Sequence, residues 1–461
     1  MQATQTTRGK TVELEKLRSL IGSGEIETVI VASPDMQGRL FAKRMTGRHF
    51  LGAGQDGVGT CSVVLGWGHD HALDPGYELT GWANGYPDLH VRPDFTSIRP
   101  YPWFEKTAFI MGDAIKPDGS EISVAPRTIL KNMISQLAEH GLRPLFASEL
   151  ECYLLKETPE TAFDKGFVNL RTKHRTLHPE TLSRMSEDEE YLGELRRQME
   201  SAEVKIEMVK AEYAPGQVEI NLEYTDALEA ADRHMILKAG AKDIALQQGL
   251  VATFMAKLAH DLGGSSCHIH MSLLDKNGQS AFSDGADGKG TSATMRHFLG
   301  GMMAHLPDAF LFFAPTTNSY RRMRAGTFAP NMLTWGEDNR TVALRLVGKG
   351  AARRIENRIP GADVNPYLAY SAMLAAGLRG IEEKREPIGD ATIGNAYDTK
   401  DAPNLPSDLG EATDVFETSE FVRTAFGEDV QKHYANFGRQ SVRAASVVVT
   451  DYERRMLLLD I

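Results

Sequence analysis

The stretch FASELECYLL, residues 146–155, restricts the fold more than any other part of the sequence, because it places two carboxylates inside an apolar run. Apolar residues at this density are typical of a buried strand, where a carboxylate is rarely found unless it is paired or bound to a metal. Side chains alternate along a strand, so Glu149 and Glu151 project from one face and Leu150 and Cys152 from the other. Another part of the chain must therefore supply the partners of these two like charges.

The composition is that of a globular chain with an acidic balance. The 461 residues are 42% hydrophobic, which is enough for one very large core or for two to three domains. The net charge of -11, from 51 basic and 62 acidic residues, offers no broad attraction to nucleic acid or to an anionic membrane. No segment approaches the roughly 20 apolar residues of a membrane span. We therefore expect neither nucleic acid nor a membrane as a partner.

The three cysteines, Cys61, Cys152 and Cys267, lie far apart in the sequence, and no two of them form a C-x-x-C pair. This spacing argues against a disulfide framework and against a cysteine zinc site. The N-terminal MQATQTTRGK contains no apolar signal segment. The sequence therefore predicts a cytoplasmic location.

Helix and strand patterns divide the chain into two unequal domains. Residues 12–24 have helical periodicity with a glycine stop, and strand-like runs then continue to about Ala114. Pro126 opens an amphipathic helix. We therefore expect a small mixed domain at residues 1–115 and a larger domain at 116–461. Three polar segments are predicted to be irregular or exposed: residues 156–187, 277–292 and 387–408.

A second acidic group surrounds a tight turn. Pro215 and Gly216 lie between Glu212 and Glu219, so the turn could bring these glutamates across from one another on paired strands, with Glu207 one step earlier. This spacing alone is not specific for any function.

Imidazoles and guanidiniums follow the two acidic groups. His268 and His270 alternate with Ile269, which places both rings on one face of a strand. Arginines surround or precede Glu356: Arg321, Arg322, Arg324, Arg340, Arg345, Arg353, Arg354 and Arg358. Divalent cations and phosphates require this mixture, because oxygen ligands suit Mg2+ or Mn2+ and guanidinium forks suit phosphoryl and carboxylate oxygens.

Each motif also has a simpler interpretation. An E-x-E pair is most often a solvated strand face, and an H-x-H pair is as often structural as it is ligating. The arginines could also pair with the same glutamates without any metal, since pairing is the commonest fate of a buried charge. Taken separately, the motifs support no more than a weak metal-site hypothesis.

Taken in order, the motifs closely resemble those of the glutamine synthetase superfamily over nearly the whole chain. The matching segments are GW at 81–82 followed by RPDFTS, ELE at 149–151, PGQVEIN at 215–221, ATFMAK at 252–257, SCHIHMSL at 266–273, NSYRR at 318–322, NRTVALR at 339–345 and RRIENRIPGADVNPYLA at 353–369. The resemblance implies an α+β fold, with a small N-terminal β-grasp domain and a large catalytic α/β domain that forms an open β funnel flanked by helices. It also implies a homo-oligomer, a dodecamer of two hexameric rings with active sites between subunits.

The resemblance further implies a reaction in which ATP phosphorylates the γ-carboxylate of L-glutamate and a nitrogen nucleophile then displaces the phosphate. Two Mg2+ or Mn2+ ions support this chemistry. The implied ligands are Glu151, Glu212 and Glu219 for the cation beside glutamate, and Glu149, His268 and Glu356 for the cation that bridges the ATP phosphates. Carried over in the same way, catalytic roles fall to Arg322, Arg340 and Arg358, substrate contacts to Glu151, Gly264, Arg322, Arg358 and Phe328, and nucleotide contacts to Glu207, His270, Ser272, Arg345 and Arg354.

Two departures from the family pattern concern the nitrogen substrate. Ammonia-using relatives carry a glutamate in the flap just before the AP that follows NSYxR, and Phe328 stands at that position here. They also carry an aspartate in an F-D-G-S-S segment before the GW, where this chain reads PGYELTGW without an aligned aspartate. An aromatic ring favours apolar contact and holds a small hydrated cation poorly. The sequence therefore predicts the γ-glutamylamide-forming branch, which joins glutamate to a polyamine, ethanolamine, an alkylamine or an aniline.

Two alternatives remain open at this point. One is an ordinary glutamine synthetase that uses ammonia with a relocated base. The other is a catalytically silent relative that keeps only the ring assembly, although such a protein should have lost metal ligands and all six are present here.

Overall fold

The computed structural model describes residues 2–177, 180–283, 290–399 and 401–461, with side chains described from Glu13 onward. The helices are α1 Gln2–Ser23, α2 Gly47–His49, α3 Pro126–Glu139, α4 Pro159–Asp164, α5 Leu182–Ser201, α6 Ala227–Gln247, α7 Ala293–His305, α8 Pro366–Glu383, α9 Leu409–Thr418, α10 Glu420–Phe426, α11 Glu428–Ser446 and α12 Asp451–Leu457. The strands are β1 Thr28–Pro34, β2 Leu40–Thr46, β3 Val58–Cys61, β4 Asp88–Pro93, β5 Arg99–Pro100, β6 Thr107–Ile115, β7 Arg143–Leu155, β8 Ile206–Ala211, β9 Gln217–Leu222, β10 Thr225–Asp226, β11 Val251–Thr253, β12 Cys267–Leu274, β13 Trp335–Glu337, β14 Leu344–Val347 and β15 Arg354–Asn357. The predicted α+β class is confirmed.

The strands that precede residue 116 form one sheet in the order β2-β1-β6-β4-β3, with β5 also paired to β6. β1 and β6 run parallel, while β1 and β2 form an antiparallel hairpin. Every residue of β6 is buried, as expected for an inner strand that is covered on both faces. This sheet lies within the small domain expected at residues 1–115.

A larger sheet follows in the order β13-β14-β15-β12-β7-β9-β8, with β10 and β11 also paired to β7. The long strand β7 contains the stretch FASELECYLL and runs antiparallel to both β12 and β9. Helices α3 and α6 pack against β7, and α8 packs against both helices. Leu150 and Cys152 are fully buried, so the opposite face of β7 carries the two glutamates.

A buried arginine joins the two sheets. Arg127, at the start of α3, has its Nη2 atom 2.9 Å from Asp94 Oδ2 and 3.0 Å from Asp232 Oδ2. Its Nη1 atom lies 2.5 Å from Asp113 Oδ1 on β6. Because Asp94 directly follows β4, Asp113 lies on β6 and Asp232 lies on α6, these ion pairs fix the N-terminal sheet against a helix that packs on the larger sheet. The division at residue 115 stays a prediction.

The structure places the two predicted helices at α1 and α3 but corrects one irregular segment. Residues 156–187 contain α4 and the beginning of α5. The turn of α4 forms because Thr158 and Thr161 cap it reciprocally and Pro159 occupies its first position. All three segments predicted to be irregular or exposed are partly outside the described residues, at 178–179, 284–289 and Lys400.

The structure bears on the membrane and on the cysteines. Within the described ranges, no helix is both long enough and apolar enough to cross a membrane. Cys61, Cys152 and Cys267 are free cysteines. The cytoplasmic location stays a prediction.

Candidate active site

A row of charged side chains crosses one face of the large sheet. Directly opposed residues of an antiparallel pair have Cβ atoms about 4.5–5.5 Å apart, so opposed charged side chains meet. The opposed pairs from β15 to β9 are Glu356 with His270, His268 with Glu149, and Glu151 with Glu219. The two-residue spacings of E-x-E and H-x-H thus place both motifs on the same face.

Glu149 lies between the two imidazoles at the centre of this row. Its Oε1 atom is 2.9 Å from His270 Nε2, and its Oε2 atom is 3.3 Å from His268 Nδ1. Burial opposes ionisation here, but the hydrogen bonds with His268 and His270 lower the pKa of Glu149 well below its ordinary value. Glu149 is therefore a carboxylate with two nitrogen partners.

Glu356 is compensated by arginines. Arg345 Nη1 lies 2.8 Å from Glu356 Oε2, and Arg358 Nη1 lies 2.5 Å from Glu356 Oε1. Burial again opposes ionisation, but the positive charges of His268 and Arg358 lower the pKa of Glu356 to about 2. The simpler interpretation, in which arginines pair with the glutamates, thus holds for this carboxylate.

Glu151 is held by hydrogen-bond donors that sequence reasoning missed. Ser266 donates its backbone N–H to Glu151 Oε2 at 2.8 Å and its hydroxyl to Oε1 at 2.5 Å. Gln217 Nε2 donates to Oε2 at 3.1 Å. Ser266 lies in the matched segment SCHIHMSL and Gln217 in PGQVEIN. Their presence in these segments was the only sign in the sequence that they belong to the site. Their bonds fix the direction in which Glu151 faces.

Glu151 and Glu219, at the β9 end of the row, have too little positive charge nearby to compensate for the burial of their carboxylates. Burial, and then the charge of Glu212, raises the pKa of Glu151 above its ordinary value. Burial, and then the charge of Glu149, raises the pKa of Glu219. This half of the site therefore favours the arrival of a cation.

Glu212 does not lie opposite Glu219, as the turn had suggested. The pairing of β8 with β9 places Lys210 opposite Glu219, and Glu212 lies just beyond the strand, where its backbone N–H donates to Gln217 O at 2.9 Å. The reason is the length of the turn, which takes up residues 212–216. The Glu212 side chain nevertheless reaches the same acidic group as Glu219.

Three overlapping groups of donor atoms on this face could hold a cation, and the atoms of each group lie within 4.8 Å of one another. They are Glu149–His270–Glu356, Glu149–Glu219–His268 and Glu151–Glu212–Glu219. The third group is the set predicted for the cation beside glutamate. The other predicted set, Glu149, His268 and Glu356, is divided between the first two groups. Carboxylate oxygens with imidazole nitrogens suit Mg2+ or Mn2+, so the residues present fit such an ion.

The stem of Arg322 packs against Gly264, and its charge acts on Glu151. A Cβ atom on Gly264 would lie 2.3 Å from Arg322 Cγ, so any side chain at position 264 would force Arg322 to move. The Arg322 guanidinium donates through Nη2 to Ile359 O. Among the described residues, the buried Nε atoms of Arg322, Arg345 and Arg358 have no hydrogen-bond partner. These unpaired donors can receive an anion.

Four of the five residues predicted to contact the nucleotide lie on β12, β14 and β15. Arg354 Nε donates to His270 Nδ1 at 3.1 Å, and Ser272 Oγ donates to Arg353 O at 3.1 Å. Arg345 also pairs with Asp338. His270, Ser272, Arg345 and Arg354 are thus near one another, and their roles stay predictions.

Two predicted residues are not brought into this group. Glu207 lies at the far end of β8 from Glu212, at a bulge in the pairing with β9, and its side chain is exposed. Arg340 is exposed in the connection between β13 and β14.

Phe328 lies in a loop that starts at Arg322. Its ring is 62% exposed, and its φ of 57° is in the left-handed region, which is rare for an aromatic residue. The loop is held beside Phe328 by Tyr397, whose hydroxyl donates to Ala329 O at 3.0 Å. The loop therefore presents an aromatic side chain to solvent at the predicted flap position.

Comparison with known proteins defines the class to which this fold and site belong. The model of the glutamine synthetase catalytic domain matches residues 123–457. The chain therefore belongs to the glutamine synthetase family, and it is a carbon–nitrogen ligase. Ligases of this type use ATP and divalent metals, which agrees with the acidic and imidazole groups on the sheet.

Individual relatives indicate which branch of the family this chain resembles. The γ-glutamylethanolamide synthetase GlnA4 of Streptomyces coelicolor is 41% identical over 443 residues, which cover 96% of this chain and 95% of that protein. The glutamate–isopropylamine ligase of a Pseudomonas species is 35% identical over 446 residues, covering 96% and 97%. The structure of GmaS without ligand superposes with a TM-score of 0.83 at 28% identity, covering 95% of this chain and 98% of GmaS. The resemblance to the γ-glutamylamide synthetase branch is confirmed.

Proposed function

We propose that this protein is an ATP-dependent ligase that joins the γ-carboxyl group of L-glutamate to a primary organic amine, giving a γ-glutamylamide, ADP and phosphate. The observation that carries the proposal is the pairing of two features. One is the row of carboxylates and imidazoles across the sheet. The other is the exposed ring of Phe328 in the flap, at the position where ammonia-using relatives have a glutamate.

The residues divide into a glutamate side and a nucleotide side. Glu151, Glu212 and Glu219 would hold one cation, and Glu149, His268 and Glu356 would hold the other. When bound, Mg2+ or Mn2+ neutralises charge on the phosphates and on the carboxylate during phosphoryl transfer.

The arginines position the reacting anions. Arg322 and Arg358 each have a buried Nε donor without a hydrogen-bond partner, and these arginines would bind the carboxylates of glutamate. Arg345, and Arg340 after movement of its exposed side chain, would bind the phosphates and stabilise the charge that develops on them. Gly264 keeps Arg322 in place because it leaves room for the arginine stem.

The amine must be neutral when it attacks, so it either enters the site as the free base or loses a proton there. An alkylammonium has a pKa of about 10.4, so only about one molecule in a few thousand is nucleophilic at pH 7. An aromatic residue at the flap offers apolar contact to the substituent of an organic amine and offers no charge to bind ammonium. The proposal therefore favours amines with an organic substituent over ammonia.

We also propose the ring assembly implied by the family, a dodecamer with active sites between subunits. Large apolar side chains near the C-terminus are exposed on the single chain and would be covered in an assembly: Val447, Val448, Val449, Leu458, Leu459 and Ile461. Sedimentation analysis of the purified protein tests this, and a stable monomer would refute it.

The amine is tested by phosphate release that depends on ATP and glutamate, across a panel of ammonia, ethanolamine, isopropylamine, n-alkylamines, diamines and aniline. Mass spectrometry of the product identifies the amide. We expect at least one organic amine to exceed ammonia in kcat/KM. If ammonia exceeds every organic amine, the protein is a glutamine synthetase and the proposal is wrong.

A flap variant tests the role assigned to Phe328. Phe328→Glu restores a carboxylate, and we expect the ratio of kcat/KM for ammonia to that for the best organic amine to rise roughly tenfold or more, as for a hydrogen bond to a charged group. Phe163→Glu is the matched control, because Phe163 is 72% exposed and lies on α4, outside the flap. An equal ratio in the two variants would contradict the assignment.

A further inference from the structure

Lys210 places an ammonium group inside the acidic end of the site. It lies on β8 directly opposite Glu219. Its Nζ atom is 2.5 Å from Glu212 Oε1 and 3.6 Å from Glu219 Oε2. The Lys210 side chain is 30% exposed, so the ammonium lies at the rim of the acidic group and is not sealed in the core. Sequence reasoning did not identify this lysine.

The same carboxylates are the ones assigned to a cation. Glu212 and Glu219 belong to the group with Glu151 whose oxygens lie within 4.8 Å of one another. A divalent ion bound to Glu212 at its usual distance of roughly 2.1 Å would bring two cations close together while the lysine remained in contact. Two like charges at such a separation repel strongly in a partly buried site. Lysine contact and ion binding at Glu212 therefore oppose each other.

A second partner for the ammonium lies outside the acidic group. Lys210 Nζ is 3.2 Å from Glu180 Oε1, and the Glu180 side chain is 66% exposed. The ammonium therefore has an exposed carboxylate, Glu180, to which it can turn.

We propose that Lys210 competes with the divalent cation for Glu212, so that it balances the acidic group when no ion is bound and turns towards Glu180 when an ion binds. This inference rests on the metal site of the proposed function. Its consequence is that Lys210 is a positioning residue that sets the affinity of one cation site and stabilises the protein in the absence of metal.

The experiment measures Mn2+ binding to the full chain without nucleotide, by calorimetry and by the electron spin resonance of free Mn2+. Lys210→Met removes the charge and keeps most of the stem, while Lys210→Arg keeps the charge. Lys205→Met is the matched control, because Lys205 precedes the same strand and its nearest acidic partner, Glu223, is 3.9 Å away and exposed. Glu212→Gln identifies which binding event belongs to this acidic group.

We expect Lys210→Met to bind Mn2+ roughly three- to fivefold more tightly at the site that Glu212→Gln weakens, the upper range for one partly exposed charge pair. Lys210→Arg and Lys205→Met should remain within about twofold of the wild type. In chelator, the thermal midpoint of Lys210→Met should fall below that of the wild type, and Mn2+ should raise it by a larger increment.

Two results would overturn the inference while leaving the proposed function intact. One is wild-type affinity in Lys210→Met; the other is an equal gain in Lys205→Met, which would indicate a long-range field and no contact-specific competition. Failure of the wild type to bind Mn2+ at all would instead refute the metal site of the proposed function. The outcomes are therefore distinguishable.

Discussion

Gly264→Ala tests whether a glycine sets the position of the arginine assigned to glutamate. The added Cβ atom would lie 2.3 Å from Arg322 Cγ and 3.0 Å from Cδ. Carbon atoms in contact are normally about 3.5–4.0 Å apart, so the arginine stem must move by roughly 1 Å or more. Arg322 is only 4% exposed and its guanidinium donates to Ile359 O, so the stem has no solvent to move into.

The expected effect is a loss of glutamate use with little effect on ATP. Overpacking of a buried site costs about 1–3 kcal/mol, and a displacement of about 1 Å at a reacting group can cost about a hundredfold in rate. We therefore expect kcat/KM for glutamate to fall roughly ten- to a hundredfold, while KM for ATP changes by no more than about twofold. Phosphate release measured at varied glutamate and then at varied ATP separates the two effects.

The neighbouring glycine provides the control. A Cβ atom on Gly263 would meet Ala214 Cβ and Gln217 Oε1 at 3.4 Å, which is close to an ordinary contact. Gly263→Ala should therefore keep nearly all activity. The reasoning is refuted if folded Gly264→Ala matches Gly263→Ala in kcat/KM for glutamate. If Gly264→Ala does not fold, Arg322→Lys tests the same contact and should show the same selective loss.

Two further predictions concern the support of the site and of the sheets. Ser266→Ala removes the hydroxyl that bonds Glu151 Oε1 at 2.5 Å, and calorimetry should show Mn2+ binding weakened roughly tenfold or more, as for other residues that orient a metal ligand; unchanged affinity would mean that the bond does not orient Glu151. Asp94→Asn should lower the thermal midpoint at neutral pH, because burial opposes ionisation of Asp94 but the charge of Arg127 lowers its pKa to about 2, which corresponds to about 2 kcal/mol of stability. A carboxyl group whose pKa is lowered by folding stabilises the folded protein at pH values above its unfolded-state pKa, and this stabilisation is lost as the pH falls through its folded-state pKa. The difference in thermal midpoint between Asp94→Asn and the wild type should therefore narrow from about pH 5 downwards. A difference that stays constant with pH would contradict the ion pair as its cause.

Strand periodicity made much of the site predictable from the sequence. The E-x-E and H-x-H spacings fixed which side chains share a face, and the structure places Glu149 opposite His268 as a consequence of strand pairing. Helices α1 and α3 were also predictable, from apolar periodicity and from the proline and glycine at their ends. Local patterns of this kind depend on a few neighbouring residues.

Register and long-range packing were not predictable in the same way. The position of Lys210 opposite Glu219 depends on how many residues the turn takes up, and nothing in the turn sequence fixed that number. The need for a glycine at 264 arises from Arg322, which is distant in sequence. The hydrogen bonds that hold Glu151 come likewise from distant parts of the chain, from Ser266 just before β12 and from Gln217 on β9.

The two glutamates of FASELECYLL differ because their neighbouring strands differ. On the β12 and β15 side, Glu149 and Glu356 meet two imidazoles and two arginines, so each of their four carboxylate oxygens has a nitrogen partner. On the β9 and β8 side, the three carboxylates have one lysine in ion-pair contact, which pairs with Glu212 and approaches Glu219. Glu151 has only the nearby charge of Arg322, which does not prevent burial and Glu212 from raising its pKa. Like charges in a buried site are tolerated only when a cation or a proton separates them. The acidic end is therefore the part of the site whose charge balance depends most on a bound divalent ion, and removal of metal should loosen it before it loosens the imidazole end.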